Sequence, residues 1–297
     1  MKLGISNYSF SKYQRATGCS MKDLCDLTKK IGFDVIDFTQ NAAMDATIAE
    51  NPIATAKELR AYCAELGLEI GAYTVGADFF KAVEDGAFAE QLLDELFRQV
   101  DFAEALGVHK MRHDLGYSLP EGTDWRPIVE KMAPMVRKVT DYAASKGIAT
   151  CSENHGLFFQ EPERMEAMFA AVGSDNYGWL VDIGNFMCAD VDPIEGVRHA
   201  IPYVKHAHVK DFLYFKSEEL EITPEGGFFK NRYGNLLRGT VLGHGVVPVI
   251  ECIRMLRKGG YDDVFTLEFE GAEENLPAIE ASYAYMRKIQ AYLEEKN

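Results

Sequence analysis

Residues 128–156 read IVEKMAPMVRKVTDYAASKGIATCSENHG, and three features in that order decide the fold. Apolar residues at helical spacing cover 128–146. Gly147 then stands where a helix closes in a left-handed turn, and IATCSE follows as a short strand of small and β-branched residues. The strand runs out on Glu153, Asn154 and His155. Charged and polar side chains at the end of a buried strand are costly unless they bind something.

The same phrase of helix, glycine and strand recurs upstream. A helix capped by Ser20, with Asp23 at its third position, ends at Gly32 before FDVIDF. Residues 57–66 pass through Gly67 into LEIGAYTV, and 92–106 pass through Gly107 into VHKMRH. The four glycines lie 35, 40 and 40 residues apart, the spacing of successive βα units. Downstream the rhythm persists less regularly. Strands are predicted over 177–183, 203–210 and 264–269, and helices over 162–172, 193–201 (capped by Asp192), 247–258 and 275–295. With KLGIS at 2–6 the count is eight strands, each followed by a helix. No linker or composition shift divides them. The expectation is an α/β chain folded as one (βα)8 TIM barrel, a single domain over 1–297. A doubly wound open sheet is the alternative, but the first strand lacks the GxGxxG turn. Residues 7–18 read as a polar, aromatic loop. The long stretch 212–245 breaks the rhythm after strand seven, and its aromatic and basic residues predict a lid.

Composition narrows the function classes. A formal charge of −15, from 46 acidic and 31 basic residues, disfavours a nucleic-acid or anionic-membrane partner. The six cysteines are scattered without a CxxC pair, as in a reduced cytoplasmic protein. Neither a signal peptide nor a membrane span is evident. A homo-oligomer is possible, with no diagnostic interface in the sequence.

Three further segments end as ATCSENHG does. WLVDIGNF carries Asp182, VKHAHVKDF carries His208, and VFTLEFEG carries Glu268. With Glu153 these four would converge from strands five to eight at one end of a barrel. Three carboxylates and an imidazole suit one divalent cation, Mn²⁺ or Mg²⁺ before Co²⁺ or Zn²⁺.

The motifs ENHG, LVDIGNF, HAHVKD, GHG and LEFEG resemble the xylose-isomerase-like TIM-barrel superfamily of sugar (phosphate) isomerases and epimerases across essentially the whole chain. The resemblance implies that Glu153, Asp182, His208 and Glu268 hold the cation. It also makes Glu153 and Glu268 the catalytic proton carriers on opposite faces of a hydroxy-ketone, working through an enediolate. The implied substrate is a small sugar, sugar phosphate or polyol-derived ketone. Epimerases of the family carry a His where Asn185 stands, a Glu at Phe159 and an Arg at Tyr214. Those departures speak against a free-ketose 3-epimerase and leave the metal chemistry intact.

Around this set, His155 could reach substrate or transfer a proton, or act as a hydrogen-bonded support. Lys210, on the face of His208, could hold a hydroxyl, carboxylate or phosphate. His113 and Asp114 are expected at the pocket wall, with Arg112 facing the other way. Asn185, Arg238 and His244 complete the expected substrate contacts, Arg238 for an anionic group. Asp211 is expected to orient His208 or a nearby base, and Glu270 to back Glu268. A lyase, either an inosose-type dehydratase or a C-glycoside deglycosidase, is the alternative on the same site, with His155 or His244 as its acid. A nuclease would need histidines at strand ends two and three, and a non-catalytic sugar-binding subunit would not need the quartet.

Overall fold

The computed structural model describes residues 1–40, 50–120 and 122–295. Eight parallel strands close into a barrel: β1 (Lys2–Ser6), β2 (Val35–Thr39), β3 (Glu69–Val75), β4 (Lys110–His113), β5 (Ala149–Glu153), β6 (Tyr177–Asp182), β7 (Val204–Val209) and β11 (Val264–Leu267). Around the ring they run β1-β11-β7-β6-β5-β4-β3-β2, so the four expected ligand strands are consecutive neighbours. The four repeat glycines adopt positive φ, from 62° at Gly67 to 115° at Gly32, as helix-ending turns require. Ser20 and Asp23 form the expected capping box, and Asp192 accepts from Ile194 N–H at 2.7 Å.

Helices cover the barrel: α1 (Ser11–Thr17), α2 (Met21–Ile31), α3 (Pro52–Leu66), α4 (Phe79–Glu84), α5 (Gly86–Leu106), α6 (Arg126–Ser145), α7 (Pro162–Val172), α8 (Pro193–Ala200), α9 (Val249–Lys258) and α10 (Asn275–Glu295). Two units hold more helix than the sequence suggests. The stretch after β1 is a 3₁₀ turn (Asn7–Phe10) and α1 instead of a loop, and α4 precedes α5. No helix among the described residues is long and apolar enough to cross a membrane.

The stretch after β7 is also built differently from a loop. β8 (Asp211–Phe215), β9 (Phe229–Lys230) and β10 (Leu236–Thr240) form a separate antiparallel sheet in the order β8-β10-β9. This excursion reaches back across two strands. Asn231 donates to the Asp190 carboxylate at 2.6 Å beyond β6, and Arg232 bonds Glu161 and the Leu157 carbonyl beyond β5. Short strands without apolar alternation gave no sequence signal for it.

Candidate metal centre

In a strand, alternate residues share a face. On β7 this places His206 and His208 on the barrel interior, and register pairs Asp182 with His208 and His208 with Thr266. Glu153 ends β5, and Glu268 follows β11, anchored by its N–H to the Val209 carbonyl at 3.0 Å. One ligand atom from each of Glu153, Asp182, His208 and Glu268 lies within 4.8 Å of the others. Asn154 fixes the neighbouring ends of β5 and β6. It donates to the Asp182 carbonyl at 2.7 Å and accepts from Asp182 N–H and the Trp179 indole, both at 3.0 Å.

Two bases and one amide hold these carboxylates. Glu153 accepts from Asn185 Nδ2 at 2.9 Å and pairs with Arg112 at 2.8 Å. Lys210 Nζ lies 2.7 Å from Glu268, 3.1 Å from Glu270 and 3.2 Å from Asp182 Oδ2. Burial, with Glu153 and Glu268 adding and Lys210 opposing, pushes the Asp182 carboxyl up to about 7. Burial alone would pull Lys210 down, but the carboxylates around it hold it well above its ordinary value.

The residues fit a divalent cation on their own hydrogen-bond accounting. Asp182 Oδ2 and both ring nitrogens of His208 are buried and make no hydrogen bond of normal geometry; Oδ2 has the Lys210 ammonium at 3.2 Å, and the nitrogens have Asp37 and Glu268 at 3.5 and 3.6 Å. Buried polar atoms held this loosely are uncommon in native structures, and a cation would give Asp182 Oδ2 and one His208 nitrogen a full-strength partner. Hard carboxylates with one imidazole match the donor set expected from sequence.

The other expected residues divide. His155 is half-exposed, its Nδ1 3.0 Å from Asp114 Oδ1. Burial would lower His155, but the Asp114 carboxylate raises it above its ordinary value. Lys210, Asn185 and Glu270 all touch the quartet or its partners.

Strand β4 reverses the expected parity. Arg112 turns inward, bridging Asp114 at 2.7 Å and Glu153 at 2.8 Å. His113 faces the helical layer, fully buried between Phe79 and Tyr177, and contacts no substrate space. Asp211 does not orient His208. Its oxygens accept from the amides of Phe212, Gly243, Gly245 and Val247 and close the loop after β10. Arg238 stays within the excursion, 5.0 Å over the Phe228 ring and bonded to Gly226 O at 3.5 Å. His244 is exposed on the 243–247 turn.

Three residues were missed as site members: Arg112, Asp37 and Tyr8. Asp37, at the interior of β2, sits 3.5 Å from His208 Nε2. Tyr8 stands by Glu270, which raises its phenol above the ordinary value. Alternation in β4 puts Lys110 and Arg112 on one face and His113 on the other, and gives no signal for which face is inside.

A sequence model for xylose isomerase-like TIM barrels matches residues 25–289. An inosose dehydratase from Bacillus anthracis is 22% identical over 219 residues, covering 70% of this chain and 71% of the relative. A crystal structure of a D-tagatose 3-epimerase-like protein superposes with a TM-score of 0.74 at 18% identity, covering 100% of this chain and 99% of the other. The IOLI protein with a bound zinc atom superposes with a TM-score of 0.74 at 16% identity, covering 97% and 98%. Structural likeness at such identities shows the shared fold.

Proposed function

This chain belongs to the xylose isomerase-like TIM barrel family, and from that premise we propose that it is a divalent-metal-dependent isomerase or epimerase of a small sugar, sugar phosphate or polyol-derived ketone. The observation that carries the reading is the quartet itself. Four ligand side chains from consecutive strands converge within 4.8 Å, and Asp182 Oδ2 and the His208 ring nitrogens among them make no hydrogen bond of normal geometry.

A cation held by Glu153, Asp182, His208 and Glu268 supplies Lewis acidity to a carbonyl and its neighbouring hydroxyl, Mn²⁺ being the ion the donor set favours. The proton work falls to the chain. Glu153 and Glu268 come from β5 and β11, with β6 and β7 between them, so they approach a substrate from two sides. One carboxylate takes the proton from the carbon next to the carbonyl, and the electron pair moves into the carbonyl. Return of a proton to the other face of that carbon gives the epimer; return to the former carbonyl carbon, with the hydroxyl hydrogen passing to the former carbonyl oxygen as the hydroxyl becomes the new carbonyl, gives the isomer. Arg112 pairs with Glu153. Burial would raise the Glu268 carboxyl, but Lys210 and His208 hold it well below the usual carboxylate range.

The His155–Asp114 pair supports a second reading, a lyase. A histidine backed by a carboxylate at 3.0 Å can protonate a departing hydroxyl, so that the same deprotonation ends in loss of water. Incubation of the Mn²⁺-loaded protein with a panel of ketoses, ketose phosphates and inososes in deuterated water separates the two. Carbon-bound deuterium without loss of water supports the isomerase, whereas a dehydrated product assigns the lyase. Absence of exchange and of product across the panel, with metal bound, would overturn the proton-transfer reading altogether.

A further inference from the structure

Below the quartet, and sharing His208 with it, lies a second polar group whose other two members neither reading uses. Asp37, His206 and His208 are buried in the barrel interior, the first two with no exposure at all. β2 and β7 are not neighbours, since β1 and β11 separate them, so Asp37 reaches across the barrel. Its Oδ1 accepts from Ala72 N–H at 2.9 Å, and its Oδ2 lies 2.5 Å from His206 Nε2 and 3.5 Å from His208 Nε2. Space for the carboxylate depends on Gly71, where an added Cβ would stand 2.3 Å from Asp37 Oδ1.

The two nitrogens of His208 therefore face different groups. Nε2 faces Asp37, and Nδ1 faces Glu268 Oε1 at 3.6 Å on the side of the quartet. A ligating imidazole needs its other N–H held by an acceptor, which fixes both tautomer and ring plane. We propose that Asp37 is the positioning residue for His208: it takes the Nε2 hydrogen and presents the Nδ1 lone pair to the cation, while His206 and Gly71 hold the carboxylate in place. The assignment rests on the metal reading of the quartet. At 3.5 Å the contact is longer than a normal hydrogen bond, and the carboxylate is the acceptor that faces Nε2.

The trio has a competing use, because its own ligand atoms also lie within 4.8 Å of one another. A second ion there would have to share His208 and displace the hydrogens between Asp37 and the two rings. One titration decides. The full-length apo-protein is titrated with Mn²⁺, with free ion read by electron paramagnetic resonance and folding checked by circular dichroism. The expectation is one ion per chain in the wild type and affinity weakened by about 10–100-fold in Asp37→Asn. Gly71→Ala, which crowds the same carboxylate, should shift affinity in the same direction. Unchanged affinity in folded Asp37→Asn overturns the proposal, and so does a stoichiometry of two ions that falls to one. Failure of the wild type to bind any Mn²⁺ would instead sink the metal reading of the quartet. Should neither variant fold, nitrogen-15 spectra of the Zn²⁺-loaded wild type serve. A protected His208 Nε2–H is expected, and a His208 protonated at Nδ1 overturns the assignment.

Discussion

Asp182 and Asp211 are both buried aspartates at the barrel rim, one ending β6 and the other opening the excursion after β7. Their hydrogen bonds separate them. Asp211 spends both oxygens on four backbone amides at 2.8–3.0 Å. Asp182 gives Oδ1 to the amides of Gly184 and Asn185, at 2.8 and 3.1 Å, and its Oδ2 meets no amide, only the Lys210 ammonium at 3.2 Å. A satisfied buried carboxylate builds structure. One with a spare oxygen aimed at other ligands is available for chemistry.

The largest effect should follow the barrel side of that contrast. Glu153→Gln keeps the side-chain size but removes the base, and kcat should fall by about 10²–10⁴-fold in the deuterium-exchange assay. Arg238→Met and His244→Ala lie in the excursion and its turn and make no contact with the quartet. They should stay within about threefold of wild type, since nothing in the transition state is removed. A large loss in either would show that the excursion closes over the substrate as a lid.

His113 tests the outward face of the same barrel. Burial lowers its imidazole to about 4 from an ordinary 6.5. A histidine buried neutral favours the folded state fully above the unfolded value, and that stability is lost as pH falls from 6.5 through the folded value. The cumulative loss is about 3 kcal/mol, from roughly 2.5 units at 1.36 kcal/mol each. Urea melts between pH 4 and 7 should show His113→Gln less stable at neutral pH but flatter toward acid. An acid limb as steep as wild type would remove His113 as its source.

These contrasts also explain what could be read before folding. The repeat of helix, positive-φ glycine and strand marks β2 to β5, because each signal is local and recurs, and the remaining strands follow, less regularly, from the same order of elements. The quartet was legible for the same reason: strand ends in a parallel barrel share one rim. β4 was not, because its four residues, KMRH, put a hydrogen-bonding side chain on both faces. Alternation then names which residues share a face but not which face is inside. Asp211 was misread because the chain changes sheets at that point. With Lys210 between β7 and β8, the face that carries His206 and His208 does not continue past it. Tyr8 belongs to a 3₁₀ turn, whose sequence has no periodic signature.

Paired substitutions sharpen the two aspartates directly. Asp211→Ala strips acceptors from buried amides and should lower stability by about 2 kcal/mol in urea melts, with Mn²⁺ affinity within about threefold of wild type. Asp182→Asn should do the reverse. It replaces a carboxyl whose ionised form burial penalises, so the metal-free protein should keep or gain stability, while Mn²⁺ binding weakens severely. If Asp211→Ala abolished Mn²⁺ binding in a folded protein, the division between structural and chemical carboxylates would fail.

The smallest effect per step is also the most continuous test. With its carboxyl pushed up to about 7, Asp182 in the metal-free protein carries a proton over much of the neutral range. A cation must displace that proton before Oδ2 can ligate, so binding releases it. His208 adds to this: burial would lower its imidazole, but the carboxylates of Glu268, Asp37 and Glu153 hold it well above the ordinary value, so it too must lose a proton to ligate. Mn²⁺ affinity should therefore rise by at least about tenfold per pH unit up to neutrality. Asp182→Asn, already weak, should lose the Asp182 share of that slope and keep the His208 share, whereas Asp211→Ala should retain both, because Asp211 faces backbone amides and contacts no ligand. A wild-type slope no steeper than that of Asp182→Asn would mean that Lys210, 3.2 Å away, keeps Asp182 ionised throughout. The ion would then have to displace an ammonium instead of a proton, and Lys210→Met would raise Mn²⁺ affinity where the proton-release account predicts a steeper pH slope.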